Sequence, residues 1–159
     1  MKVLVVSDTH RFNDNFYKAV ENEKPFDMVI HCGDAEGTEY ALSANLDVPF
    51  EIVCGNCDFF SVLPREIEVD LCGHKVFVTH GHAYNVSVGY ERLADEAESR
   101  GCEMVLCGHT HVPYQETIQD TRVMNPGSLT YPRQHDRRPS YGLIYAEENT
   151  PLKTEIKFF

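Results

Sequence analysis

The sequence predicts an α/β fold in which two mixed β-sheets pack face to face with helices on the outside. Three observations carry that expectation. Short apolar, β-branched runs alternate with amphipathic segments over the first third of the chain, the pattern of a parallel α/β layer. A hairpin and a series of short strands separated by turn residues follow, enough for a second sheet. At 159 residues and 42% apolar composition the chain can enclose a real core but is short for two, so residues 1–159 are expected to form a single domain.

Taken in order, Lys2 to Ser7 reads as a buried strand. A helix is expected over Asn15 to Glu23, with Phe16, Tyr17 and Val20 on one face. Met28 to Cys32 forms the second strand, Glu39 to Asn45 a short helix, and Phe50 to Cys54 the third strand. Ile67 to Leu71 and Lys75 to Thr79 flank Cys72-Gly73-His74 as an antiparallel hairpin. A polar helix over Val88 to Arg100 leads into a strand at Met104 to Cys107. Tyr114 to Ile118, Arg122 to Met124, Tyr141 to Ala146 and Leu152 to Phe158 supply the remaining strands.

Composition narrows the function classes. The formal net charge of -11 repels nucleic acid and anionic membrane surfaces, so bulk nucleic-acid binding is not expected and a phosphate-bearing substrate must be attracted locally. The apolar start is shorter than a signal-peptide core, and no later run approaches the roughly 20 residues of a membrane span. A cytoplasmic protein is expected. The six cysteines then read as reduced thiols, most of them small buried residues at strand ends. Cys54-Gly-Asn-Cys57 is formally a CxxC, but with no second pair its zinc or redox reading is the weaker one.

A recurring junction carries the chemistry. Ile30-His-Cys-Gly33-Asp34, Val53-Cys-Gly55-Asn56, Val78-Thr-His80-Gly81 and Leu106-Cys-Gly108-His109 each join an apolar run to a glycine and a potential metal ligand. Asp8 and His10 follow the first strand, and His111 follows His109. In an extended chain, Asp8 and His10 would project to the same side. Glycine permits a sharp turn, and the carboxyl ends of strands are where α/β sheets build their sites. Seven candidate ligands in such positions point to a hydrolytic centre of two metals.

Ser7-Asp8-Thr9-His10, Gly33-Asp34, Gly55-Asn56-Cys57-Asp58, Thr79-His80-Gly81-His82 and Gly108-His109-Thr110-His111 resemble the ordered motifs of the calcineurin-like metallophosphoesterases. The resemblance is closest to their small bacterial and archaeal phosphodiesterase branch, with Asn125-Pro-Gly-Ser128 and Pro132-Arg133 adding to it. It implies a four-layer αββα sandwich. It also implies that Asp8, His10, Asp34 and His111 hold one divalent ion, while Asp34, Asn56, His80 and His109 hold the other, with Asp34 as the bridge. The donor set suits manganese, iron, nickel, zinc or cobalt.

The implied reaction is hydrolysis of a small phosphodiester by a metal-bridging hydroxide, with Asp34, Asn56 and His80 central to catalysis. Two divalent ions, two carboxylates and one hydroxide leave about one positive charge to attract phosphate into an acidic protein. Asn56 is a candidate substrate contact. Arg11 reads equally as a second one or as a solvated charge. Many relatives carry a histidine after the asparagine, where Cys57 stands here; a neutral thiol is a poor general acid, which favours diesters and modest rates. His82 reads as an alternative proton donor or, more readily, as a residue orienting the loop, and Asp58 as one that orients its neighbours. His31 is expected to be packed or solvated and His74 exposed, both without function. The alternatives are a phosphomonoesterase on the same centre and a non-catalytic protein-binding scaffold of the same fold, like the retromer subunit. The apolar end Ile156-Lys-Phe-Phe159 is expected to seal a sheet or to meet a second copy in a homo-oligomer.

Overall fold

Two five-stranded sheets carry the chain, and the computed structural model describes all of residues 1–159. The elements are β1 (Lys2–Val6), α1 (Asp14–Glu23), β2 (Met28–His31), α2 (Glu39–Ser43), β3 (Phe50–Ile52), β4 (Glu66–Leu71), β5 (His74–Thr79), a single 3₁₀ turn (His82–Tyr84), α3 (Glu91–Ser99), β6 (Met104–Leu106), β7 (Tyr114–Ile118), β8 (Thr121–Asn125), β9 (Ser140–Tyr145) and β10 (Lys153–Phe158). Every strand and helix expected from the sequence is present. The third helix begins at Glu91, because residues 85–90 are taken up by turns after the 3₁₀ segment.

The first sheet has the order β10-β9-β1-β2-β3 and the second β4-β5-β6-β8-β7. In the first, β1, β2 and β3 are parallel, with Val5 opposite Ile30 and Ile30 opposite Glu51. In the second, β5, β6 and β8 are parallel, with Val78 opposite Leu106 and Leu106 opposite Met124. Antiparallel strands complete both sheets.

Three apolar clusters define the layers. Val3, Val5, Ile30, Val76, Val78, Leu106 and Met124 fill the space between the sheets in a cluster of 14 buried residues. Strand alternation sends Leu4, Val6 and Val29 to the opposite face, where Phe16, Ala19 and Val20 of α1 and Leu42 of α2 cover them. On the outer face of the second sheet, Phe77, Val105 and Val123 meet Leu93, Ala94 and Ala97 of α3. The result is a four-layer αββα sandwich, as expected. Each fully buried Val, Leu or Phe contributes roughly 1.5–3 kcal/mol, so the central cluster is what holds the sheets in register.

The C-terminus seals a sheet. Phe159 packs against the cluster of α1, its ring 5.3 Å from that of Tyr141, and its N–H donates to the Pro139 carbonyl at 3.1 Å. His74 corrects its expectation: it opens β5 and is engaged by Glu103 and by the Glu147 carbonyl. No helix is long and apolar enough to cross a membrane.

Candidate metal centre

The carboxyl ends of the parallel strands from both sheets open onto one cleft. Asp8 and His10 follow β1, Asp34 follows β2, Asn56 follows β3, His80 follows β5, and His109 and His111 follow β6. The first sheet therefore supplies four of the candidate ligands and the second sheet three. A larger concavity of about 800 Å³ lies beside Arg122 and Leu152 and contains none of them, so size does not mark the site.

The backbone reaches this arrangement in a conformation the sequence did not suggest. Asp8 and His10 do not continue the extended chain: their φ values are 55° and 44°, and Asp34, His109 and His111 stand at 60°, 68° and 59°. Left-handed backbone at non-glycine residues costs on the order of 1–3 kcal/mol each and gathers where function demands it. The glycines serve close approach as much as turning. A Cβ on Gly55 would sit 2.0 Å from Asp34 Oδ1, and one on Gly108 would sit 2.0 Å from Ser7 Oγ and 2.7 Å from Asp8 Oδ2.

Two donor groups result. Asp8, His10 and His111 bring ligand atoms within 4.8 Å of one another, and so do Asp8, Asp34 and His80. His111 Nε2 lies 3.1 Å from Asp8 Oδ1 and 3.1 Å from His10 Nε2. His80 Nε2 lies 3.3 Å from Asp34 Oδ2 and 3.1 Å from Asn56 Oδ1, which is also 2.8 Å from His109 Nδ1.

The tautomers are fixed from outside the centre. His80 Nδ1–H donates to the Cys32 carbonyl at 2.7 Å, and His111 Nδ1–H donates to the Tyr131 carbonyl at 2.7 Å. His10 Nδ1 is bound by Glu36 Oε1 at 2.6 Å. All three imidazoles thus turn Nε2 inward, where it can bind a metal once its proton is lost. Asp8 Oδ1 is buried and accepts no hydrogen bond, although His111 Nε2 is close by. Imidazole nitrogens facing one another and a buried carboxylate suit a cation between them. Donors sharing one ion at metal–nitrogen distances of about 2.0–2.1 Å stand about 3 Å apart, so these residues fit divalent metal.

Ionisation follows the same logic. Burial opposes charge on Asp8, but the adjacent His10, His111 and His80 imidazoles hold it far below the usual carboxylate range. Burial also opposes charge on His10, yet Asp8, Glu36 and Asp34 raise it to about 9. His80 is raised by Asp34 and Asp8 against its burial, and Asp34 is lowered by His80 and the Cys57 N–H against its own. Burial and the neighbouring His80 push His109 down. Ions in this cleft therefore displace protons from the site.

The residues around the centre include several that the sequence left without a role. Asp58 is buried and accepts backbone N–H groups from Asp34, Gly55 and Glu36 at 2.8, 2.7 and 2.6 Å, the orienting part expected of it. His31, expected to be merely packed or solvated, is fully buried and bridges two loops: Nδ1 accepts the Gly33 N–H at 3.1 Å, which leaves Nε2–H for Thr9 Oγ1 at 3.0 Å. Burial pulls its pKa down to about 4. Glu36 was not singled out at all; its only sequence signal is its position two residues after Asp34. Besides His10 it pairs with Arg11, at 3.1 Å from Nε, and Arg11 is otherwise exposed. Asn125 Nδ2 donates to the Gly108 carbonyl at 2.7 Å and Ser128 Oγ to the Asp8 carbonyl at 2.9 Å, so the Asn-Pro-Gly-Ser segment ties the ligand loops together.

One reading gains a physical cause and one is altered. Cys57 Sγ receives a hydrogen bond from Asn56 Nδ2 at 3.2 Å, and burial beside Asp34 pushes its thiol up to about 12, which removes it as a general acid near neutrality. His82 does not orient its loop by hydrogen bonding through Nδ1, which is buried without a partner; its ring lies 5.5 Å from that of His80 and 6.1 Å from that of His109. All six cysteines are free.

Comparison with known proteins agrees with this geometry. The calcineurin-like phosphoesterase superfamily domain matches residues 1–149. A probable metallophosphoesterase of Mycoplasma pneumoniae is 37% identical over 144 residues, covering 88% of this chain and 86% of the relative. A phosphoesterase-like structure from Streptococcus pneumoniae superposes with a TM-score of 0.85 at 25% identity, over 99% of this chain and 88% of that one. An archaeal phosphodiesterase structure superposes with a TM-score of 0.77 at 28% identity, over 99% of this chain and all of that one.

Proposed function

This chain belongs to the calcineurin-like phosphoesterase superfamily, and on that premise we propose that it is a phosphodiesterase working through two divalent metal ions. That it is a metallophosphoesterase follows from the family and its relatives. The observation carrying the finer reading is the convergence of Asp8, His10, Asp34, Asn56, His80, His109 and His111 on one cleft with their ligand atoms facing inward.

In this proposal Asp8, His10, Asp34 and His111 hold one ion, and Asp34, Asn56, His80 and His109 hold the other. Asp34 would serve both, since its Oδ2 faces His80 at 3.3 Å and His10 at 3.8 Å. When bound, the ions acidify coordinated water into a nucleophile and neutralise phosphoryl charge. Manganese, nickel, zinc, iron and cobalt all suit oxygen and imidazole donors.

The chain's own residues do the rest. Asn56 is exposed and directs Oδ1 into the centre; one amide N–H goes to Cys57 Sγ, and the other is available to a phosphate oxygen. Arg11, steered by Glu36, keeps its terminal guanidinium nitrogens for a second phosphate contact. Cys57, its thiol pushed up to about 12, is a weak general acid at working pH, so turnover favours esters with good leaving groups. A dianionic monoester gains more from the ions but leaves less readily, which is why diesters are the preferred class.

Metal-loaded protein should hydrolyse an activated aryl phosphodiester in at least one of these metals. No cleavage above the buffer rate with any of them would sink the catalytic reading.

A further inference from the structure

A cavity of about 370 Å³ adjoins the candidate centre and shares Asn56 with it; Cys54, Phe59, Phe60, Arg65 and His82 are among its walls. That volume lies within the range of small-molecule sites. Its contents are chemically distinct from the rest of the acidic surface. Arg65 has no carboxylate partner within ion-pair distance, in contrast to Arg11 and Arg100. The only acid in the lining, Asp58, has both oxygens engaged by backbone N–H groups. The cavity therefore presents one unpaired cation beside aromatic rings.

The aromatic side is exposed at a cost. Phe59, Phe60 and Val62 are 79%, 104% and 100% exposed, an apolar display within four positions of the chain. Phe60 has a φ of 62°, an uncommon conformation for a bulky residue. Its turn is fastened to the ligand loop, because the Phe59 N–H donates to the Cys57 carbonyl at 2.9 Å and the Ser61 N–H to the Asp58 carbonyl at 3.3 Å. A ring held outward, beside a metal-binding asparagine and an unpaired guanidinium, is suited to stack on a flat ligand whose phosphates reach both ends of the cavity.

We infer that this cavity receives one ester arm of the substrate and selects an arm carrying a flat ring and a second anionic group, the pattern of a nucleotide. The inference rests on the diesterase reading above. Arg65 takes the second anion, Phe60 stacks on the ring, and Asn56 meets the scissile phosphate.

Calorimetric titration of zinc-loaded protein with adenosine 3′,5′-bisphosphate and with adenosine 5′-monophosphate separates these parts. The bisphosphate should bind about tenfold more tightly. Arg65→Ala should erase that preference while leaving monophosphate binding unchanged, Arg65→Lys should restore part of it, and Phe60→Ala should weaken both ligands severalfold. If Arg65→Ala weakens both ligands equally or neither, or Phe60→Ala weakens neither, the nucleotide subsite is wrong. Cleavage of a 5′-phosphorylated dinucleotide and its unphosphorylated counterpart keeps the two readings apart. The predicted binding pattern without any diester cleavage overturns the diesterase reading and leaves the subsite standing; cleavage of both dinucleotides at equal rates overturns the subsite alone.

Discussion

Asp58 Oδ2 accepts the backbone N–H of Asp34 at 2.8 Å, and so fixes the proposed bridging residue through its main chain. The same carboxylate holds Gly55 and Glu36, the residues that precede Asn56 and support His10. One buried side chain thereby sets the loops of several candidate ligands. Asp58→Asn replaces one accepting oxygen with a donor that cannot serve these N–H groups. Metal affinity should fall about 10–100-fold with the fold preserved. Titration calorimetry with zinc, alongside circular dichroism, checks this; unchanged affinity would remove Asp58 from the site's support.

Asp34→Asn tests the proposed bridge directly. It keeps the side chain's shape but removes the charge that faces His80 and His10. Hydrolysis of an aryl phosphodiester should drop to the background rate, and elemental analysis should find fewer than two ions per chain. Retention of two ions and near-normal turnover would overturn the assignment.

Metal affinity should depend on pH with a definite sign. In the metal-free protein His10 stays protonated up to about 9, and His80 is also raised. Ligation requires both to lose that proton, so affinity should rise with pH by at least about tenfold per unit below 9. Competition with a chromophoric chelator across pH 6 to 9 measures the slope. Chelation should in turn abolish hydrolysis, and restoring the metal should return it.

His31 gives an acid-sensitive contribution to folding. Its pKa falls from the ordinary 6.5 to about 4 in the fold, so the unfolded chain binds the extra proton between those values. The stability is present above about 6.5 and is lost as pH falls toward 4, by roughly 3 kcal/mol for a fully buried group. His31→Gln should be less stable at pH 7, because it replaces a buried two-sided contact, yet its stability should vary less between pH 6.5 and 4. Denaturant melts at several pH values decide it; parallel pH profiles for both proteins would count against the neutral-histidine account.

Gly55→Ala should disable the centre with little change elsewhere. The new methyl would meet Asp34 Oδ1 at 2.0 Å and the Asp34 backbone nitrogen at 2.6 Å, so the carboxylate must move. A stability loss of about 1–3 kcal/mol is expected, together with loss of the second ion. Thermal melts with and without zinc measure both.

Much of this was legible in the chain because the informative signals are local. The β-branched runs of β1 and β2 and the apolar face of α1 fix their own elements, and the glycine before Asp34, Asn56 and His109 marks a strand end. The illegible parts depend on tertiary packing. The left-handed backbone at Asp8 and His10 is only weakly signalled, since aspartate and histidine enter that region more often than most residues but far less readily than glycine. His31 looked idle because Thr9, the partner of its Nε2, meets it only when β1 and β2 pair. Glu36 acquires its meaning from His10, which lies 26 positions earlier.

The candidate ligands are divided between two sheets that otherwise touch mainly through greasy side chains. An ion seated there would act as a rivet, fastening one half of the sandwich to the other at the rim where no strand crosses. Metal occupancy and the mechanical cohesion of the two halves then become one property, and losing the ions should loosen the cleft's rim before the core.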